Sequence, residues 1–165
     1  VSEDTVDRIL HQWNGIAPDL DVSPMAVVGR ISRLSRLFDR RLAENFADHG
    51  IESWMYDVLA TLRRTGDPFE LSPGDLVKQS MVTTGAITNR IDRLIDRGFV
   101  ERSRSEADRR RIIVRLTDAG RELVDAVAPH HYALEEQLLS SLGARDRSAL
   151  AAMLRSVLLE LHDTP

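Results

Sequence analysis

Six arginines fall within the sixteen residues from Arg102 to Thr117, RSRSEADRRRIIVRLT, and three of them, Arg109, Arg110 and Arg111, follow directly on Asp108. Guanidinium groups are permanently charged planar forks that pair with phosphate, with carboxylate and with the acceptor edge of guanine. Upstream, the stretch TTGAITNRIDR supplies a second kit. It holds the hydroxyls of Thr83, Thr84 and Thr88, the amide of Asn89, the guanidinium groups of Arg90 and Arg93, and Gly85, which has no side chain to keep a partner at a distance. These groups donate to a polyanion, and none is a nucleophile set beside a base.

The charge distribution agrees. The chain of 165 residues carries a formal net charge of −4, yet from Lys78 to Arg115 it holds ten Lys or Arg against five Asp or Glu. That local excess of +5 leaves −9 on the remainder, the arrangement expected when one surface meets a polyanion and the rest keeps the protein in solution. A solvated, salt-bridged face is the plainer explanation of the same counts.

Other chemistry finds little support. With no cysteine there is no disulfide, thiol nucleophile or thiolate ligand. His130 and His131 are adjacent and so point to different sides of a helix, while His11, His49 and His162 are scattered. A helical zinc site needs ligands one turn apart, so no metal or cofactor is expected, and no enzymatic activity. No run approaches the roughly 18 apolar residues of a membrane span, and VSEDTVDRIL does not resemble a secretory leader. One soluble, cytoplasmic domain that binds no membrane is the expectation.

These side chains need elements to hold them, and helical periodicity dominates. Val6, Ile9, Leu10 and Trp13 mark a short helix closed by Gly15 and Pro18. A long helix follows, with Val27, Val28, Ile31, Leu34, Leu37, Phe38 and Leu42 as its stripe, ending at His49-Gly50. ESWMYDVLATLRR is another, with Trp54, Val58 and Leu62 on one face and TGDP as its stop. Ser72-Pro73-Gly74-Asp75 opens a short helix by capping chemistry, running to about Gln79. Thr83 or Thr84 opens the next, which buries Ile87, Ile91, Leu94 and Ile95 and stops at Gly98. Two helices joined by so short a turn make a helix-turn-helix.

After Gly98 the period becomes two. Phe99-Val100 starts a strand, and Ile112, Val114 and Leu116 alternate along a second, with Ile113 and Arg115 on its other face. The arginine-rich tip lies between them, forming a basic hairpin, and Arg115 is expected to face solvent. Thr117 caps a further helix that Pro129 should bend or interrupt. A last helix carries Leu150, Met153, Leu154, Val157, Leu158 and Leu161. The fold class is therefore mostly α with a small β-wing, a winged helix-turn-helix. Its second helix would enter a major groove, and its wing would set an arginine in the minor groove.

The segment LVKQSMVTTGAITNRIDRLIDRGFVERSRSEADRRRIIVRLTDAG resembles the core of the MarR family of regulators. The likeness rests on GAITNRIDRL, GFVER, the Asp-x-Arg pair at Asp108 and Arg110, and LTDAG. It implies a homodimer intertwined through N- and C-terminal helices, residues 1–47 and 118–165, with residues 52–117 as the DNA-binding region. It also implies binding to a pseudo-palindromic double-stranded operator. Asp108 would form the wing turn and hold an arginine extended, Arg110 and then Arg109 would reach the minor groove, and Arg104 and Arg111 would contact phosphate or solvent.

The added N-terminal helix is similar to that of the urate-responsive branch of the family. That likeness implies a pocket for a small organic anion, urate or another organic acid, framed by Trp13, Asp57, Arg90 and Arg102, with His11 a further candidate. Trp13 would wall the pocket, Asp57 would accept from a ring N–H, and the arginines would take the charge. Core packing for Trp13 and a salt bridge for Asp57 are the plainer roles. The expected function is a repressor released by such an anion. The alternatives are a DNA-binding protein without an inducer, architectural or constitutive, and an interaction module in which the helix-turn-helix is only a scaffold.

Overall fold

The structure, a computed structural model, describes residues 2–80, 87–104, 108 and 110–163. Two compact units divide the chain, Val1–Leu42 and Ala43–Pro165.

The first unit holds α1 (Thr5–Ile16) and most of α2 (Met25–Asp48). Asp4 caps α1: its carboxylate accepts the backbone N–H groups of Val6 and Asp7, and Asp7 answers by accepting the Asp4 N–H. The helix runs past Gly15 to Ile16, one residue beyond the expected stop, since nothing in a glycine forbids a last turn. Arg30 of α2 ties the two helices, donating to Asp4 at 2.8 Å and Asp7 at 2.6 Å. Val6 is buried over Gly29, where an added Cβ would stand 3.3 Å from the valine. The apolar stripe of α2 is real, yet Val27, Val28, Ile31, Leu34 and Leu37 all remain exposed in the single chain.

The second unit begins with the end of α2 and continues through α3 (Ser53–Arg64), β1 (Glu70–Leu71), α4 (Pro73–Gln79), α5 (Ile87–Asp96), β2 (Val100–Arg104), β3 (Ile112–Leu116), α6 (Asp118–Leu138) and α7 (Ala144–Glu160). Its core gathers Val58, Leu59 and Leu62 of α3 with Leu76, Ile91, Leu94, Val114 and Val127, all essentially inaccessible to solvent. Phe46 stacks on Tyr56 and His131, and burial pushes the Tyr56 hydroxyl up to about 12. Trp54 differs from its predicted neighbours: Val58 and Leu62 are buried, whereas Trp54 stays half-exposed at the start of α3.

The sheet is antiparallel with order β1-β3-β2, pairing Val100 with Leu116, Arg102 with Val114 and Arg104 with Ile112. The third strand, β1, was not expected. It is two residues long and exists because the outer edge of β3 accepts Glu70 opposite Arg115 and Leu71 opposite Val114. Arg115 accordingly does not simply face solvent; its Nε donates to Glu70 at 2.7 Å. Nor does Pro129 break α6, which is continuous from Asp118 to Leu138.

Caps fix the joints. Ser72 Oγ accepts the Asp75 N–H at 3.2 Å with Pro73 at the first helical position, and Thr117 Oγ1 accepts the Gly120 N–H at 3.1 Å. Gly98, at φ +73°, supplies the left-handed residue that turns the chain out of α5 into β2. Gly120 is required for a different reason: a Cβ there would lie 2.0 Å from the Phe99 carbonyl oxygen, so the first turn of α6 can seat on the β2 entrance only without a side chain.

Candidate nucleic-acid interface

The second unit presents α4, α5 and the β2–β3 wing in the order of a winged helix. Ile91 and Leu94 are buried, Ile87 and Ile95 are partly so, and Thr88, Asn89 and Arg93 are exposed. With 100° per residue, Asn89 lies almost opposite the buried face, Arg90 and Arg93 occupy one flank, and Asp92 occupies the other. Thr83, Thr84, Gly85 and Arg109 lie outside the described residues.

Each flank meets a partner. On one side Arg102 of β2 holds Asp92 at 2.9 Å. On the other, Trp54 of α3 receives the guanidinium groups of Arg93 and Arg90, 4.8 Å and 5.6 Å from its ring centroid. Glu52 completes that side: one carboxylate oxygen accepts the Trp54 Nε1–H at 2.7 Å and the other pairs with Arg93. The hydrogen bond from Trp54, followed by the one from Arg93, holds the Glu52 carboxyl below its usual range.

Arg90 is less exposed than expected. Its Nη1 is buried and has no hydrogen-bond partner among the described residues. A desolvated cationic N–H without an acceptor is costly, and an anion placed there would relieve the cost.

At the wing, Asp108 takes the turn-forming role. Its Oδ1 accepts the Arg110 N–H at 2.9 Å, and its carbonyl accepts the Arg111 N–H at the same distance. Arg110 is exposed beyond that turn. Arg111 reaches back to Asp75 at 3.5 Å, so α4 and not solvent alone receives it.

Of the residues expected to frame an anion, Asp57, Arg90 and Arg102 belong to the second unit and Trp13 to the first, where it is exposed like His11. Asp57 is half-buried and already engaged by a neighbour. Two hollows among the described residues lie elsewhere. An open groove of about 540 Å³ in the first unit is lined by Leu10, Asn14, Leu20 and Val22 with Asp19 and Asp21, an acidic rim that suits an anion poorly. A smaller one of about 220 Å³ lies beside Phe69, Arg115 and Arg121. Neither includes Trp13, Asp57, Arg90 or Arg102.

Sequence reasoning missed Glu52, Trp54, Asp92 and Asp75 as partners of the basic side chains. A carboxylate or an indole carries no local sign of an arginine forty residues away. Among the described residues, no three His, Asp or Glu side chains gather for a metal, and no helix is long and apolar enough to cross a membrane.

Comparison with known proteins bears on this geometry. Residues 55–112 match the MarR family. The chain is 39% identical over 152 residues to the transcriptional regulator PecS of Dickeya dadantii, covering 92% of each. Its fold matches a variant of Escherichia coli MarR in complex with operator DNA, with a TM-score of 0.72 and 28% identity over 88% of this chain and 97% of that one. It also matches Bordetella bronchiseptica BpsR, whose DNA binding is regulated by 6-hydroxynicotinic acid, with a TM-score of 0.71 and 26% identity over 79% and 91%.

Proposed function

The chain belongs to the MarR family of DNA-binding transcriptional regulators, and on that basis we propose that it is a cytoplasmic repressor, working as a homodimer on a pseudo-palindromic operator and released by a small organic anion. The observation that carries the DNA reading is the pairing of an exposed Thr88–Asn89–Arg93 surface on α5 with a wing whose turn leaves Arg110 free of the sheet. The helix supplies base-edge donors and the wing supplies a cation for the narrow groove. Thr83, Thr84, Gly85 and Arg109, which lie outside the described residues, are proposed as further DNA contacts on sequence grounds.

Dimerisation has its own support. The stripes of α2 and α7 leave Ile31, Leu34, Leu154 and Val157 exposed in the single chain, apolar side chains that a partner subunit would cover. Two recognition helices related by a two-fold axis would then meet half-sites one DNA turn apart.

The effector reading rests on Arg90. Its Nη1, buried and without a hydrogen-bond partner among the described residues, is suited to a carboxylate or urate oxygen, with Asp57 and Arg102 as the further candidates. Because Arg90 also lies over the Trp54 ring that receives Arg93, an anion that repositions it would change the DNA-reading flank.

The test is a mobility shift with the DNA upstream of the protein's own reading frame, across a salt series, with urate and 6-hydroxynicotinate added in turn. Sequence-preferring binding that weakens steeply with salt and is released by one of the anions is expected. No preference over random duplex sinks the operator reading. Preference that no anion disturbs leaves a constitutive DNA-binding protein and removes the effector.

A further inference from the structure

We propose that Glu52 and Trp54 form a positioning pad that sets the pose of Arg93 and Arg90 on α5, and thereby the strength and base preference with which that helix reads DNA. The inference deepens the DNA reading above and rests on it.

The first observation is that neither residue is explained by its own helix. Glu52 stands at the N-cap of α3, a position that favours Ser, Thr, Asp or Asn, and its side chain makes no capping bond. Its two oxygens are instead spent on the Trp54 Nε1–H and on Arg93. Trp54 starts the same helix but stays half-exposed, while Met55, Tyr56, Val58 and Leu59 fill the core. What its ring touches is a pair of cations, Arg93 at 4.8 Å and Arg90 at 5.6 Å.

The second observation is geometric. Arg90 and Arg93 are three residues apart, so they stand about 60° from one another on one flank of α5. A single indole can serve both, and the carboxylate fixes the nearer. The three contacts close a loop: Glu52 to the indole, the indole to Arg93, Arg93 back to Glu52. Unsupported arginines on an exposed helix sample many rotamers and must be ordered when they bind; two that already lie over one ring, the nearer also paired with Glu52, lose less freedom.

The pad also has a selective side. Glu52 competes with a phosphate oxygen for Arg93, so a contact with DNA that does not bring further bonds has to displace it. A duplex that also satisfies Asn89 and Thr88 gains enough elsewhere to hold Arg93 in place.

The experiment uses the full-length protein and a duplex that it selects from a randomised pool, with affinities measured at low salt so that weak variants remain measurable. Trp54→Leu is expected to weaken binding about fivefold, and Trp54→Phe, which keeps a ring, less than about twofold. In an Arg90→Ala/Arg93→Ala background, Trp54→Leu should change affinity less than about twofold, because the side chains it positions are gone. Repeating the selection with Trp54→Leu should relax the same base positions that the arginine variants relax. An undiminished effect of Trp54→Leu in the arginine-free background overturns the proposal, as does an unchanged affinity in the wild-type background. Should Trp54→Leu fail to fold, Glu52→Gln, at an exposed position, takes its place; it should lose about twofold or more in affinity and add nothing to Arg93→Ala, and full additivity overturns the pad. A wild-type protein that enriches no sequence overturns the DNA reading and the pad with it, whereas enrichment without coupling overturns the pad alone.

Discussion

Arg102 of the first wing strand holds Asp92 of α5 at 2.9 Å, an ion pair that ties the hairpin to the helix beside it. The pair also covers a negative charge on a helix that would face phosphates. Arg102→Ala should therefore weaken duplex binding, and adding Asp92→Asn should restore part of the loss, since it removes the uncovered charge. Both side chains are substantially exposed, so the change in stability should stay below about 1 kcal/mol. Binding titrations and thermal melts of the three variants check this; a double variant no better than Arg102→Ala would show that charge cover is not what the pair provides.

The wing tip makes a separate prediction. Arg110 extends from a turn that Asp108 closes through the Arg110 N–H. Arg110→Ala should lower DNA affinity and reduce the slope of log affinity against log salt by about 1, with the oligomeric state unchanged. A salt series followed by mobility shift measures it, and an unaltered slope would take Arg110 off the DNA.

Gly120 and Gly15 predict opposite outcomes for the same substitution. A Cβ at Gly120 collides with the Phe99 carbonyl at 2.0 Å, so Gly120→Ala should cost about 2–4 kcal/mol as the start of α6 is pushed off β2. Around Gly15 nothing lies within 4 Å, and Gly15→Ala should be neutral or stabilise α1 by up to about 1 kcal/mol. Chemical denaturation separates the two, and equal effects would contradict the close approach at Gly120.

Titration of Glu52 should be visible through Trp54. Its carboxyl is held below the ordinary value of 4.5 by the indole N–H first and Arg93 second. A lowered folded-state value means that the contribution is complete above the ordinary carboxylate range and is lost as pH falls through the lowered value. Tryptophan emission of a Trp13→Phe protein should thus be flat from pH 7 to the ordinary carboxylate range and change only below it, and Glu52→Gln should abolish that step. A step above pH 5 would contradict the assignment.

The uncovered face of α7 predicts the assembly. Met153 and Val157 are 65% and 51% exposed in the single chain. Leu154→Asp combined with Val157→Asp should yield a monomer by light scattering and abolish binding to a two-half-site duplex. A dimer that survives both charges would place the interface elsewhere.

Much of the framework was legible in the residues alone because its signals are local. Ser72-Pro73 announced α4, Gly98 the end of α5, Thr117 the start of α6, and the alternation of Val114 and Leu116 the inner face of β3. Each rests on a cap, a backbone angle or a period that spans only a few residues. Helical periodicity also found the stripes of α2 and α7, though it could not say that they stay uncovered within one chain.

What tertiary structure decided was the partner of each charge. Glu70 meets Arg115 across 45 residues of sequence and Glu52 meets Arg93 across 41. A two-residue strand such as β1 has no period to read, and an indole on an amphipathic helix looks like core until the helix is placed. Elements form from interactions between neighbours in the chain, which the order of residues records directly. The choice of which carboxylate holds which arginine is made only when packing brings distant elements together, and so roles for the basic run could be assigned from the sequence, whereas its partners Asp92, Asp75 and Glu70 could not.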